Sequence, residues 1–211
     1  DIFLKRIDSS GLIPCFTETS YWNFYEWAPG LDGGDIFREK KIPESYDAPL
    51  NAFLSIALMK LSNLCIDLGK EETALYYKNK AEKLNSQIRV TFWDKSENLF
   101  CTFISNGNMM HYCELVQSLM VYCKAASDDV TDVVLDSLSA HDGRLVPATL
   151  SMSIFKFEAL LTQKDKYQSF VLSEIDRIWG EMLFKGATSF WETSLGAGDF
   201  NGGGSLCHGW S

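Results

Sequence analysis

Three short segments of this sequence carry residue types that could do chemistry. In Gly186-Ala187-Thr188-Ser189-Phe190-Trp191-Glu192-Thr193 a carboxylate stands beside an indole and small hydroxyl residues. A carboxyl held against apolar surface can have its pKa moved toward the range that general acid–base work requires. The flat face of Trp191 suits the C–H surface of a sugar. The plainer reading of these residues is a solvated loop glutamate beside a core tryptophan. In Gly202-Gly203-Gly204-Ser205-Leu206-Cys207-His208-Gly209-Trp210 the glycines let backbone approach a ligand closely. His208 then sits beside Trp210, and a structural histidine is the plainer alternative. In Trp22-Asn23-Phe24-Tyr25-Glu26-Trp27-Ala28-Pro29-Gly30 aromatics surround the one carboxylate, Glu26. Trp22 and Trp27 would make a sugar platform, or they simply anchor a loop in the core.

Other chemistries find little here. His111, His141 and His208 lie far apart and form no H-x-H or H-E-x-x-H, so no metal site is expected. G-x-S-x-G is absent, which argues against a serine hydrolase of that type. The glycine run lacks the lysine and preceding strand of a phosphate loop. No cofactor is implied. The six cysteines (Cys15, Cys65, Cys101, Cys113, Cys123, Cys207) form no C-x-x-C and read mostly as buried free thiols. Glu71-Glu72 and Asp128-Asp129 fit the negative charge favoured in a first helical turn.

The elements that must position these segments are helices. Asp47-Ala48-Pro49 predicts a start, with Asp capping and Pro in the first turn. Leu50, Phe53, Leu54, Ala57, Leu58, Leu61, Leu64, Cys65 and Leu68 then form one stripe, stopped by Gly69. A second helix follows through Ala74, Tyr77, Ala81, Leu84 and Ile88, antiparallel because its connection is short. Two more hairpins are expected. One pairs Leu115–Ala126 with Val130–Leu138. The other pairs Leu150, Ile154, Phe157 and Leu161 with Tyr167, Val171, Ile175, Ile178 and Met182. Strand alternation is confined to Leu99–Phe103, ahead of an Asn106-Gly107 turn. Two long loops remain, Gly11–Glu44 and Gly186–Ser211, and they hold all three candidate segments. Ordered loops of that length usually carry function.

The chain has 211 residues, 46% of them hydrophobic, so it can bury a core. Its net charge of −9 is the wrong sign for a phosphate-backbone binder, and nucleic acid is not an expected partner. No apolar run reaches the roughly 18 residues of a membrane span. Asp1–Arg6 is no signal peptide and reads as the end of a helix. Helices of roughly 12 residues with their connections give about seven to nine in all, too few for a closed ring of twelve.

The order of these segments resembles the later part of the catalytic domain of α-L-rhamnosidases, glycoside hydrolase family 78, among the six-hairpin (α/α)6-barrel glycosidases. The similarity rests on the Phe24-Tyr25-Glu26-Trp27 segment, then the hairpins, then Trp179-Gly180-Glu181-Met182. Gly186-Ala187-Thr188-Ser189-Phe190-Trp191-Glu192-Thr193 and Gly204-Ser205-Leu206-Cys207-His208-Gly209-Trp210-Ser211 complete it. It implies an all-α fold, here part of an (α/α)6 toroid built of helical hairpins with long functional loops. It also implies an inverting glycosidase acting on a rhamnose-containing glycan or glycoside. The family's proposed base matches Glu192, its pocket histidine matches His208, and its acid–Trp pair matches Glu26-Trp27. Glu26 stands where the family commonly has Asp, which leaves its role as a second carboxylate open. Nothing matches the family's upstream general-acid segment.

The expectation is therefore one fragment, residues 1–211, of a catalytic domain. It would carry the base without the acid and would be inactive alone. An exposed apolar flank would take the missing hairpins or pair two copies. A periplasmic or secreted location is favoured over a cytoplasmic one. Two other readings compete: a non-catalytic helical module binding carbohydrate or protein, and another six-hairpin enzyme such as an unsaturated-uronide hydrolase, a glucoamylase-like enzyme or a sugar epimerase.

Overall fold

A computed structural model describes residues 2–16, 22–33 and 45–209. Among them the chain forms three antiparallel helical hairpins. These are α1 (Ala48–Asp67) with α2 (Glu71–Phe92), α3 (Glu114–Tyr122) with α4 (Asp128–Ser139), and α5 (Ser153–Leu161) with α6 (Lys164–Ile175). A π turn, Asp176–Gly180, joins α6 to the short α7 (Glu181–Phe184). The expected helix end at the N-terminus is only a 3-10 turn, Leu4–Arg6.

Short strands fill the space between the first two hairpins. β2 (Trp93–Asp94) pairs antiparallel with β3 (Leu99–Phe100). β1 (Ser45–Asp47), β4 (Phe103–Ser105) and β5 (Asn108–Met110) form a second sheet in the order β1-β4-β5. Asn106 and Gly107 close the β4–β5 turn with φ of 50° and 75°, the pairing that an Asn-Gly hairpin requires.

The core lies where the hairpins meet. Leu84, Ile88, Phe92, Phe100, Leu115, Leu119, Met120 and Leu135 are all sealed from solvent. Cys65, Cys101, Cys113 and Cys123 are buried, Cys15 is half-buried and Cys207 is exposed; none of the six is bridged.

Four local expectations are corrected. Asp47 occupies the N-cap of α1, but its side chain does not cap; Oδ2 accepts the Tyr25 hydroxyl at 2.7 Å. The leucine stripe of α1 is not its deepest face, since Leu61, Leu64 and Leu68 are exposed while Asn51, Ala52, Ser55 and Ser62 are buried. Small side chains let α1 lie close on α2, and the polar ones are bonded. Asn51 Nδ2 donates to the Ile13 carbonyl, Ser62 Oγ to the Ala74 carbonyl, and Ser55 Oγ to Asn85, which donates onward to the Cys123 carbonyl. α1 is also long and apolar enough, by length and mean hydropathy, to pass for a membrane span, contrary to the run-length reading. Its bonded polar face fits a core helix.

The fourth correction concerns α5. Ile154 is 54% exposed, while Lys156 on the other side is 4% exposed. A buried ammonium needs a partner, and Glu114 supplies one at 2.6 Å, which turns that face inward.

Candidate functional site

The segments around Glu192 and His208 run antiparallel and are laced together. The His208 amide donates to the Phe190 carbonyl at 2.8 Å and the Glu192 amide to the Ser205 carbonyl at 2.9 Å. Ser189 Oγ donates to the Leu206 carbonyl. Between them the chain turns tightly, and Asp199 accepts at its carbonyl from the amides of Gly202, Gly203 and Gly204. The glycines here are sterically required. A Cβ on Gly204 would collide with the Gly196 carbonyl, and one on Gly196 (φ 57°) would come within 2.6 Å of the Trp191 ring. Trp191 thus packs on the backbone of its own loop.

This ladder aims Glu192 at His208. Glu192 Oε2 accepts the Ser205 amide at 3.2 Å and lies 3.6 Å from His208 Nδ1. Both side chains are partly covered, at 14% and 25% exposure. The arrangement suits a carboxylate that is fixed in place yet reachable. Thr193, the next residue, buries its Oγ1 with no hydrogen-bond partner among the described residues.

The aromatic segment forms a second wall. Trp22, Phe24 and Trp27 pack edge-on or tilted, with centroids 4.7–5.9 Å apart. Trp27 also meets Phe200 of the C-terminal loop at 5.8 Å, which joins the two regions. Trp22 and Trp27 remain 62% and 40% exposed, as a platform for a flat apolar surface would be. His111 steadies this loop from below: Nε2 contacts the Pro29 carbonyl and Nδ1 contacts Thr102 Oγ1, each at 2.9 Å. Burial lowers its pKa, so it serves as a neutral bridge.

Of the residues expected to form a site, the structure brings Glu192, His208 and Trp191 into one loop pair and places Trp22 and Trp27 on the adjoining wall. Glu26 turns the other way. It is 1% exposed, and Oε2 accepts the amide and hydroxyl of Thr149 at 2.7 and 2.9 Å. Burial pushes its carboxyl up to about 7, against the lowering effect of those two bonds. Trp210 lies outside the described residues, as do parts of the long loop from Gly11 to Glu44.

Sequence reasoning missed a charged cluster behind the site. Lys156 pairs with Glu114 at 2.6 Å and approaches Glu174 at 3.9 Å; Glu174 in turn holds Arg177 and His141. The signal was Lys156 itself, interrupting an otherwise apolar helix. Among the described residues, no group of three or more His, Cys, Asp or Glu is arranged to hold a metal ion.

With this geometry in hand, comparisons with known proteins agree on one family. The model of the bacterial alpha-L-rhamnosidase six-hairpin glycosidase domain matches residues 17–211. The GH78 family rhamnosidase of Bacillus sp. GL1 matches with a TM-score of 0.82 and 28% identity, over 100% of this chain and 21% of that one. The rhamnosidase from Klebsiella oxytoca, solved with rhamnose bound, matches with a TM-score of 0.74 over 99% of this chain and 37% of that one. Its 19% identity makes that a likeness of fold. The chain therefore spans about a fifth and somewhat over a third of these two proteins. No curated protein matches.

Proposed function

The chain belongs to the bacterial α-L-rhamnosidase six-hairpin glycosidase domain family, and from that membership we propose that it forms part of the catalytic domain of an inverting glycoside hydrolase that removes terminal α-L-rhamnose. The observation that carries this reading is the placement of Glu192. Its carboxylate is held by the Ser205 amide and faces His208, on a loop joined through Phe200 to the Trp27 platform.

In this reading Glu192 is the general base. It takes a proton from water as that water attacks the anomeric carbon from the face opposite the leaving group. The Ser205 amide, donating to Oε2, holds the carboxylate in one orientation. His208 lies close enough to order the water or a sugar hydroxyl. Trp27, Trp22 and Trp191 offer apolar faces to the pyranose ring and its methyl group. The general acid comes from a part of the domain outside these residues, roughly 6.5–9.5 Å from Glu192 so that a water fits between.

The same reading accounts for the exposed apolar side chains. Leu64, Leu68, Leu172 and Phe184 are 52–92% exposed. Further hairpins of the domain would cover such faces.

The test is hydrolysis of an aryl α-L-rhamnoside by the full-length protein that contains this chain, by its Glu192→Gln form, and by the chain alone. Turnover by the first and little by the other two is the expected result. Rhamnose binding without any hydrolysis by the full-length protein would make it a binding module instead.

A further inference from the structure

Glu26 sits beside a platform residue and yet does not face the platform. Its Oε2 takes both hydrogen bonds that Thr149 can give, from the amide and from the hydroxyl. Its Oε1 is buried with no hydrogen-bond partner among the described residues. A carboxyl kept in such a place is costly, and an apolar side chain would fill the same space at lower cost. Packing alone therefore does not account for it.

What Glu26 connects is more informative. On its own loop it precedes Trp27, whose ring meets Phe24 and Phe200 edge-on. At its other end is Thr149, the residue that starts the α5 turn: the Thr149 carbonyl accepts from the amides of Met152 and Ser153. Beyond that turn, Leu150 and Ser151 share a cavity of about 460 Å³ with Trp179 and Phe190. Phe190 lies two residues before Glu192. Glu26 thus bridges the aromatic wall and the wall that carries the proposed base.

We propose that Glu26 is a positioning residue, whose paired bonds to Thr149 fix the spacing between the Trp27 platform and the Phe190–Glu192 segment. The proposal rests on the reading of Trp27 as a sugar platform. The two bonds are short and directional, so they set a distance as well as an affinity. Two titratable groups bear on Glu26, both at the start of α3. Glu114 opposes its ionisation and is itself held by Lys156 and the Ala148 amide; the Cys113 thiol is pushed up to about 12, mainly by burial.

The test follows the Thr149 amide and the Trp27 indole N–H by NMR in the full-length protein that contains this chain from about pH 5 to about pH 9, then adds L-rhamnose. Both signals should move together with a midpoint near 7, where burial places the Glu26 carboxyl. Glu26→Gln should abolish both movements and weaken rhamnose binding roughly tenfold. Thr149→Val, which keeps the amide and loses the hydroxyl, should shift the Trp27 signal part of the way, and it serves if the Gln variant does not fold. A Trp27 signal indifferent to both substitutions would overturn the proposal. Coupled titration in a full-length protein that binds no rhamnose would sink the rhamnosidase reading and leave the Glu26–Thr149–Trp27 linkage standing.

Discussion

Lys156 reaches Glu114 across 2.6 Å, from the inward face of α5 to the first turn of α3, with both side chains nearly closed to solvent. The other Glu114 oxygen accepts the Ala148 amide at 3.0 Å, and Glu174 of α6 lies 3.9 Å from the same ammonium. One lysine therefore ties two hairpins and the segment leading into Thr149. Replacing it by methionine leaves the buried Glu114 carboxylate without its cation and should cost about 3–5 kcal/mol in urea denaturation. Adding Glu114→Gln should recover much of that loss. A single variant within 1 kcal/mol of the parent, by the scatter usual for surface changes, would deny the network its structural role.

Glu192→Gln keeps size and polarity but cannot take a proton. In the full-length protein kcat on an aryl α-L-rhamnoside should fall roughly 100- to 10,000-fold, with KM little changed. A small effect on kcat would move the base elsewhere.

Glu26 gives a pH dependence of stability with a definite sign. Its folded pKa, near 7, lies above the ordinary value of 4.5. The folded state therefore holds the proton more tightly than the unfolded one. That contribution is fully present below about pH 4.5 and is lost as pH rises through about 7. Urea midpoints compared at about pH 5 and about pH 8 should show the parent losing more than Glu26→Gln does across that interval. Equal losses would remove Glu26 as the source.

The cysteines should separate by reactivity. Burial pushes Cys101, Cys113 and Cys123 up to about 12, whereas Cys207 is exposed. A thiol reagent at neutral pH should label Cys207 quickly, with Cys101, Cys113 and Cys123 reacting only on unfolding. Fast labelling of Cys113 would mean that the α3 turn opens readily.

Two glycines of the C-terminal loop offer a matched contrast. Gly204→Ala would drive a methyl into the Gly196 carbonyl, whereas a Cβ on Gly198 meets nothing within 4 Å. The first should perturb Trp191 fluorescence and cost about 1–3 kcal/mol, and the second should do neither. Similar behaviour of the two would contradict the packed loop described above.

The helices were legible because hairpin punctuation is local. Gly69, with φ of 68°, ends α1 where the stripe stops, and Asn106-Gly107 turns the strand pair. The buried faces of α1 and α5 were not legible. Their insides are lined by Asn51, Ser55, Ser62 and Lys156, residues that count as exterior until partners from other hairpins satisfy them. Trp-Glu and Gly-Ser-x-x-His lie on one loop pair, and the pairing of Glu192 with Ser205 and of His208 with Phe190 needs only nearby chain. The inward turn of Glu26 could not be read, since its partner lies 123 residues away.

That separation bears on how the molecule assembles. Each hairpin is made of neighbours in sequence and can form early, while the bond from Thr149 to Glu26 closes a 123-residue loop and gains only when the hairpins have already docked. The aromatic wall is thus among the last parts to be locked and the first that can unlock. Hydrogen exchange should show the Thr149 amide opening well below the global unfolding free energy, in a unit separate from α1 and α2.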